Sequence, residues 1–372
     1  MEACLDYVTT RKATWINKTL SLYKGAKIIN FQLKFNRWIE FAISRNVENL
    51  CLDFGTPCSF PDFFNVNFSF VKQLRLVMFN IFDIMTPVSW TSLTELCLRG
   101  CSLFAESMAN ILPGCPLLES LTLRGCDKLS FLDLSESLRL RTLEIVYNPW
   151  FPEPAQIVAP HIHYLRLINP LCSSTFVDGS SLAEAKLDIH NILSMIPNFI
   201  RDVLHIKVVA MVVKMLEKLK NVEKLTLGGN FLQILSLAEA CGVPFPMLKV
   251  KYLTLETIIF RYVIPGIERV LQTSPHLKKL TVRAKNYNII PEKDLDNYLK
   301  RRGLNPDQCW RSTDGVDWNK SPWHVNSKHM VSLVELVLKN TKSLDNIILR
   351  RCKFQDPIPP FFHNNNVSIV LR

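Results

Sequence analysis

Few residues in this chain stand at spacings that support catalysis. His161 and His163 straddle one residue, so a strand would turn both imidazoles to one side. A zinc site needs at least one further ligand, and no thiol or carboxylate follows at a metal-site spacing, so the pair reads as surface histidines and no metal is expected. No G-x-S-x-G elbow or family-type cysteine context supplies a nucleophile. Gly228-Gly229 belongs to neither G-x-x-x-x-G-K-S/T nor G-x-G-x-x-G, so it reads as a turn and not as a phosphate cradle. No cofactor is expected. What remains is recognition chemistry, carried by Arg75, Arg99, Arg124 and Arg166. A planar guanidinium fork grips a carboxylate or phosphate through two parallel hydrogen bonds, provided that the backbone presents several forks on one surface.

The elements that would present them are repeats. Leu118, Leu121 and Leu123 fit L-x-x-L-x-L, the spacing returns at Leu140, Leu143 and Ile145, and a weaker copy lies between them at Leu129, Leu132 and Leu134. This is a leucine-rich-repeat signature. The first apolar position falls at Val47, Val71, Leu93, Leu118, Leu140, Ile162, Leu182, Val203, Val222, Val250 and Leu277, mostly at intervals of about 19–25 residues. Four buried aliphatic side chains at roughly 1.5–3 kcal/mol each do not offset the ordering of about 22 residues at ~1–2 kcal/mol apiece. Only a stack is stable. The expected fold is α/β: a right-handed leucine-rich-repeat solenoid, a horseshoe of roughly ten or eleven units with a parallel β-sheet on its concave face.

In a short strand Leu121 and Leu123 point inward together, which sends Ser120, Thr122 and Arg124 outward. The same reasoning puts Arg75, Arg99, Tyr164, Arg166 and, through the V-x-x-I-x-V copy at Val203, Lys207 on the concave face. Those six are the candidate protein-binding residues. Later units add Glu184, Lys186, Asp188, Lys224, Tyr252, Thr254, Glu256, Lys279, Thr281 and Arg283 as outward positions. Two readings stay open: the arginines recognise anionic groups, or Glu95, Glu144 and Glu184 neutralise them across strands. A base-reading surface would interleave aromatics with the cations, and only Tyr164 and Tyr252 qualify, so nucleic acid is not expected.

Composition frames the rest. The chain has 372 residues, 48% hydrophobic and 21% charged, with 12 glycines, which predicts folded structure throughout. Its net charge of +11 favours acidic partners. Eleven cysteines without C-x-x-C pairs read as reduced thiols in a core, with Cys101 and Cys126 in the small-residue slot of their repeats. Residues 1–20 hold charge where a secretory signal needs an apolar run, and Val203–Leu216 is too short and too charged to span a bilayer. A cytoplasmic or nuclear protein without a membrane partner is expected. The period predicts one elongated array over 27–284, preceded by a linker over 1–26. A polar excursion over 285–327 follows, whose Trp310, Trp318 and Trp323 either anchor a partner or cover the end of the stack. A helix and strand over 328–356 and a tail over 357–372, with a possible short strand at Val367–Leu371, close the chain.

The ordered phrases WIEFAISRNVENLCLDF (38–54), ILPGCPLLESLTLRGCDKLSFLDL (111–134), IVAPHIHYLRL (157–167), GSSLAEAKLDI (179–189), VKYLTLE (250–256), GIERVLQTSPHLKKLTV (266–282) and VELVLKNTKSLDNIIL (334–349) carry a resemblance. Together they resemble the plant F-box/leucine-rich-repeat proteins that end in an FBD region, and 328–356 looks like that FBD region. The resemblance implies a non-catalytic receptor: repeats that hold a protein substrate, and an F-box that docks on the Skp adaptor of a cullin-RING ubiquitin ligase of the SCF type. Only 26 mostly polar residues precede the strand at Lys27, and VTTRKATWINKTLSLYKGAKI looks like the linker after an F-box. Skp and cullin are therefore expected partners only where an F-box lies upstream. The alternative is an adaptor or decoy scaffold that recruits no ligase.

Overall fold

Each L-x-L pair of the repeat lies in a parallel strand, its two aliphatic side chains buried and their neighbours turned out. The computed structural model describes residues 30–33, 45–54, 69–78, 81–82, 87–126, 128–147, 156–169, 175–190, 207–285, 289–310, 327–350 and 367–371. The chain divides into two compact units, Met1–Tyr164 with Ser174–Ser181, and Leu165–Ser173 with Leu182–Arg372, where the period predicts one array.

In the first unit the strands are β1 (Asn30–Leu33), β2 (Asn49–Phe54), β3 (Gln73–Met78), β4 (Glu95–Arg99), β5 (Ser120–Arg124) and β6 (Thr142–Val146), paired in that order. The register stacks Leu50, Leu74, Leu96, Leu121 and Leu143 in one row and Leu52, Leu76, Leu98, Leu123 and Ile145 in another. None of the ten is more than 3% exposed. The carbonyl before each strand accepts from two consecutive amides of the next repeat, as Lys72 does from Thr94 (2.8 Å) and Glu95 (3.0 Å). The backbone is thus satisfied by neighbours alone. The alternation of Ile29, Phe31, Leu33 and Phe35 predicts a strand over 27–35, part of which appears as β1, and the helix that Trp38, Ile39, Ala42 and Ile43 predict after Asn36 lies outside the described residues.

The weaker copy at Leu129, Leu132 and Leu134 does not join these strands. Phe131–Asp133 pairs with Gln156–Val158, which pairs with Thr175–Asp178, in a separate three-stranded sheet. The segment falls half a repeat from β5, where the chain is on its return path, so its buried leucines close the back of the repeat. The pairing of Thr175–Asp178 with this sheet also explains why Ser174–Ser181 belongs to the first unit.

The second unit carries β7 (Tyr164–Ile168, from Leu165 on), β8 (Glu184–Asp188), β9 (Lys224–Gly228), β10 (Tyr252–Glu256), β11 (Lys279–Arg283), β12 (Asn346–Arg350) and β13 (Ser368–Leu371). From β8 onward they pair in sequence and in parallel. Lys207 corrects the expectation of a strand after Val203: β8 pairs directly with β9, and Lys207 opens a helix. The first two helices among the described residues are α1 (Ala105–Ile111), in the first unit, and α2 (Lys207–Lys218). In α2, Val209, Val212, Val213 and Leu216 are buried while Lys214 and Glu217 are exposed, a stripe of helical period.

Repeats in this unit grow helices. α3 (Gly229–Ala240) is buried on every side from Gly229 to Ala238, between α2 and α4 (Ile264–Gln272). Its polar residues are satisfied. Ser236 Oγ donates to the Leu232 carbonyl and accepts from the Gly266 amide, and Gln233 bonds both backbone groups of Ile290. Within the predicted excursion, α5 (Glu292–Arg301) is helical because Leu295, Tyr298 and Leu299 form an apolar stripe, and the short α6 (Pro306–Cys309) is capped by Asn305, whose side chain accepts from the Asp307 amide. Trp310 is buried edge-on against Tyr262 at 4.8 Å, with its Nε1 donating to Asp296 at 2.8 Å. It covers the core; Trp318 and Trp323 lie outside the described residues. α7 (Ser327–Asn340) then leads to β12. No helix among the described residues is long and apolar enough to cross a membrane.

Candidate functional site

The outward side chains of the sheet form rows set by register. In the first unit one row runs Cys51, Arg75, Cys97, Thr122, Glu144, and the next Asp53, Val77, Arg99, Arg124, Val146. Arg99 and Arg124 are register partners and both are exposed, while Arg75 sits one row away between two cysteines. Arg124 Nη2 contacts Glu144 Oε1 at 2.7 Å, a diagonal cross-strand pair. The neutralising reading therefore holds for Arg124, whose exposed pair is worth at most about 1 kcal/mol. Burial pushes the Cys97 thiol up against the opposing field of Arg75 and Arg124, and burial alone takes Cys115 to about 12. Neither is poised as a thiolate.

Tyr164 is half-buried, its amide bonded to the Arg141 carbonyl at 3.0 Å, and Arg166, also half-buried, follows on β7 in the second unit. Lys207, at the start of α2, is not on the sheet. His161 and His163 precede β7 in a turn, with His161 Nε2 against the Ser135 carbonyl at 3.1 Å and His163 exposed. Among the described residues no three His, Cys, Asp or Glu side chains gather as a metal site.

The second unit holds a more developed polar centre. Glu256, last residue of β10, has a side chain only 6% exposed. Its Oε2 lies 2.6 Å from Lys186 Nζ and 3.0 Å from Lys285 Nζ, and its Oε1 lies 3.5 Å from Arg283 Nη1. Burial by itself would raise the Glu256 pKa, but the hydrogen bonds and charges of Lys186 and Lys285 outweigh it and bring it down to about 2. Lys186 reaches Glu256 across the whole width of β9. It can do so because the outward positions of β9 at that end are Thr226 and Gly228, which are small.

Gly228 is also required by its other neighbour. A Cβ there would stand 1.7 Å from Asp188 Oδ1. Asp188 is 1% exposed, accepts from the Ile189 amide at 2.8 Å, and lies 2.8 Å from His190 Nε2. Lys186, Glu256 and Arg283 are among the outward positions legible in the sequence, but their convergence is not, because the contacts join residues up to 70 positions apart. The available signal was the pair of small outward residues, Thr226 and Gly228, between a lysine and a glutamate in adjacent repeats.

The comparisons agree with this architecture. Residues 15–357 match the family model described as "At1g61320/AtMIF1, LRR domain". The putative F-box/LRR-repeat protein At3g18150 of Arabidopsis thaliana is 51% identical over 379 residues, covering 97% of this chain and 81% of that protein. The probable F-box protein At1g60180 of the same plant is 52% identical over 83% of this chain and 96% of its own length. The F-box/LRR-repeat protein At5g02910, also from Arabidopsis, is 42% identical over 96% of the chain and 83% of its own length. A repeat ladder of buried leucines, a family match over nearly its whole length and relatives of this identity place the chain in the plant F-box/leucine-rich-repeat family.

Proposed function

We propose that this chain is a protein-recognition receptor, the substrate-binding part of an SCF-type ubiquitin ligase, acting in the cytoplasm or nucleus. The observation that carries the reading is the division of labour along each strand. Inward positions are uniformly aliphatic and held in register, whereas outward positions vary in charge, size and hydrogen-bonding capacity from repeat to repeat. A rigid backbone with freely varied side chains suits recognition of another protein's surface. The F-box in the relatives' names points to the ligase; on this reading the outward residues Arg75, Arg99, Arg124, Tyr164 and Arg166 contact the substrate.

The test uses two baits in plant extract, the chain itself and the chain joined to an upstream F-box. The F-box-bearing bait is expected to bring down Skp and cullin with a protein substrate, and Arg99→Glu with Arg124→Glu to release the substrate while Skp stays bound. An F-box-bearing bait that captures substrate but neither Skp nor cullin refutes the ligase reading in favour of an adaptor scaffold. Substrate that stays bound after charge reversal refutes this face as the receptor surface.

A further inference from the structure

The outward faces of the two units differ in charge. In the first, Arg75, Arg99 and Arg124 are matched one for one by Asp53, Glu95 and Glu144 on β2, β4 and β6. In the second, two of the three carboxylates on β8–β10, Asp188 and Glu256, are buried, while the Glu184 side chain stays 39% exposed against Lys224. Asp188 is buried below His190, and Glu256 is buried below Lys186 and Arg283, which already outnumber it. Arg283, 44% exposed, gives Glu256 only one nitrogen at 3.5 Å, so its other donors remain turned to solvent. Two residues back along these strands, Thr226, Thr254 and Thr281 form a row across β9, β10 and β11, in which Thr226 and Thr254 are half-buried and Thr281 is buried. Two residues further back, Lys224, Tyr252 and Lys279 form a second row, in which Lys279 has no ion pair among the described residues and Tyr252 is the exposed aromatic.

We propose that the outward face of β9–β11 binds an acidic protein segment, laid in extended form over the threonine row with its carboxylates on Arg283 to one side and Lys279 to the other. The geometry fits such a chain. Arg283 and Lys279 each stand two residues, about 6–7 Å, from Thr281 along β11, and an extended segment sends alternate side chains to opposite sides. The segment's free backbone amides and carbonyls meet the hydroxyls of Thr226 and Thr254, and its carboxylates meet Arg283, whose counter-charge is buried, and Lys279, which has no ion pair among the described residues. The chain's net charge of +11 steers an acidic partner toward it. Nucleic acid fits less well, because Tyr252 alone on this face could stack a base. The inference rests on the reading of the sheet as a protein-binding surface and names the chemistry of what it takes.

The probe is a fluorescent peptide of a dozen residues alternating aspartate or glutamate with serine, titrated with the purified full chain and followed by anisotropy. Its asparagine and glutamine counterpart and an oligothymidine of equal length serve as comparisons. Saturable binding of the acidic peptide is expected, weakening as salt rises from about 50 to about 200 mM. Lys279→Glu with Arg283→Glu is expected to weaken it at least about tenfold, and Lys128→Glu with Arg139→Glu, exposed cations of the first unit away from its sheet strands, by less than about twofold. Thermal melts check folding, and Lys279→Gln with Arg283→Gln replaces the reversed pair if that pair unfolds. Equal binding of the neutral peptide, tighter binding of the oligonucleotide, or equal loss from both double variants overturns the proposal. A chain that captures substrate from extract through its first unit yet ignores the acidic peptide overturns this inference alone and leaves the receptor reading standing.

Discussion

Glu256 is a buried carboxylate whose charge is held by Lys186, Lys285 and Arg283, and its energetics can be read directly. Its pKa stands near 2 in the folded protein against its ordinary 4.5. The full shift corresponds to about 3 kcal/mol, reduced to roughly 2 kcal/mol because Arg283 and Lys285 face solvent. The unfolded chain takes up the proton first, so this contribution is complete above pH 4.5 and is lost as pH falls toward 2. Urea denaturation of the native protein should therefore show a stability loss across that window that Glu256→Gln lacks, with the variant about 2 kcal/mol less stable at neutral pH. A variant whose acid limb parallels the native one would show that the cluster is not held as described. Gly228 makes a second residue-scale prediction. An added Cβ meets the fixed carboxylate of Asp188, so Gly228→Ala should cost about 2–4 kcal/mol in chemical denaturation. Gly242→Ala, with open space around it and φ of +67°, should cost only about 1 kcal/mol from the left-handed backbone.

At the scale of elements, the strands were legible because a pair of leucines two residues apart means a strand only if the same pair recurs at the repeat period. Leu50 with Leu52 through Leu280 with Val282 satisfy both conditions, and all are buried. Lys207 was misread because V-x-x-I-x-V has both a period-two pair and a three-residue step, and so fits a strand and a helix equally. The deciding residues, Val212, Val213 and Leu216, lie beyond the motif. Helix α5 was hidden for a related reason: Leu295, Tyr298 and Leu299 are only three apolar residues in a strongly charged segment, and α3, the helix that α5 contacts, ends about fifty residues earlier. The site was legible as a list of outward positions but not as a cluster, since burial of Glu256 depends on what β9 lacks. Gln233 shows the same dependence in a helix. It looks like a polar residue on an apolar helix, yet it donates to the Ile290 carbonyl at 3.1 Å and accepts the Ile290 amide at 3.0 Å. Gln233→Leu should cost about 1–3 kcal/mol and accelerate hydrogen exchange at the Ile290 amide, while Ser236 and its bond to Gly266 remain protected. Unchanged exchange at Ile290 would assign the anchoring to Asn230 instead, whose Oδ1 lies 3.2 Å from the same amide.

At the scale of the whole molecule, the two ladders of aliphatic side chains make stability a nearest-neighbour property within each unit. Every inward residue of β5 touches its counterparts on β4 and β6, and the carbonyl that opens each strand is shared with the next repeat alone. A cavity should therefore be felt in order of distance along the stack. Leu123→Ala removes a side chain only 2% exposed and should cost about 2–5 kcal/mol in the first unit. Hydrogen exchange should quicken most in β4, β5 and β6, less in β3 and least in β2, whose register with β3 does not involve the missing side chain. A globular core distributes such damage through three-dimensional contacts, so uniform acceleration from β2 to β6 would argue against a one-dimensional stack. The graded response also has a functional consequence. Outward side chains on distant strands can be altered without disturbing one another's backbone, which is the condition under which one repeat array can present different binding surfaces while its buried ladder stays the same.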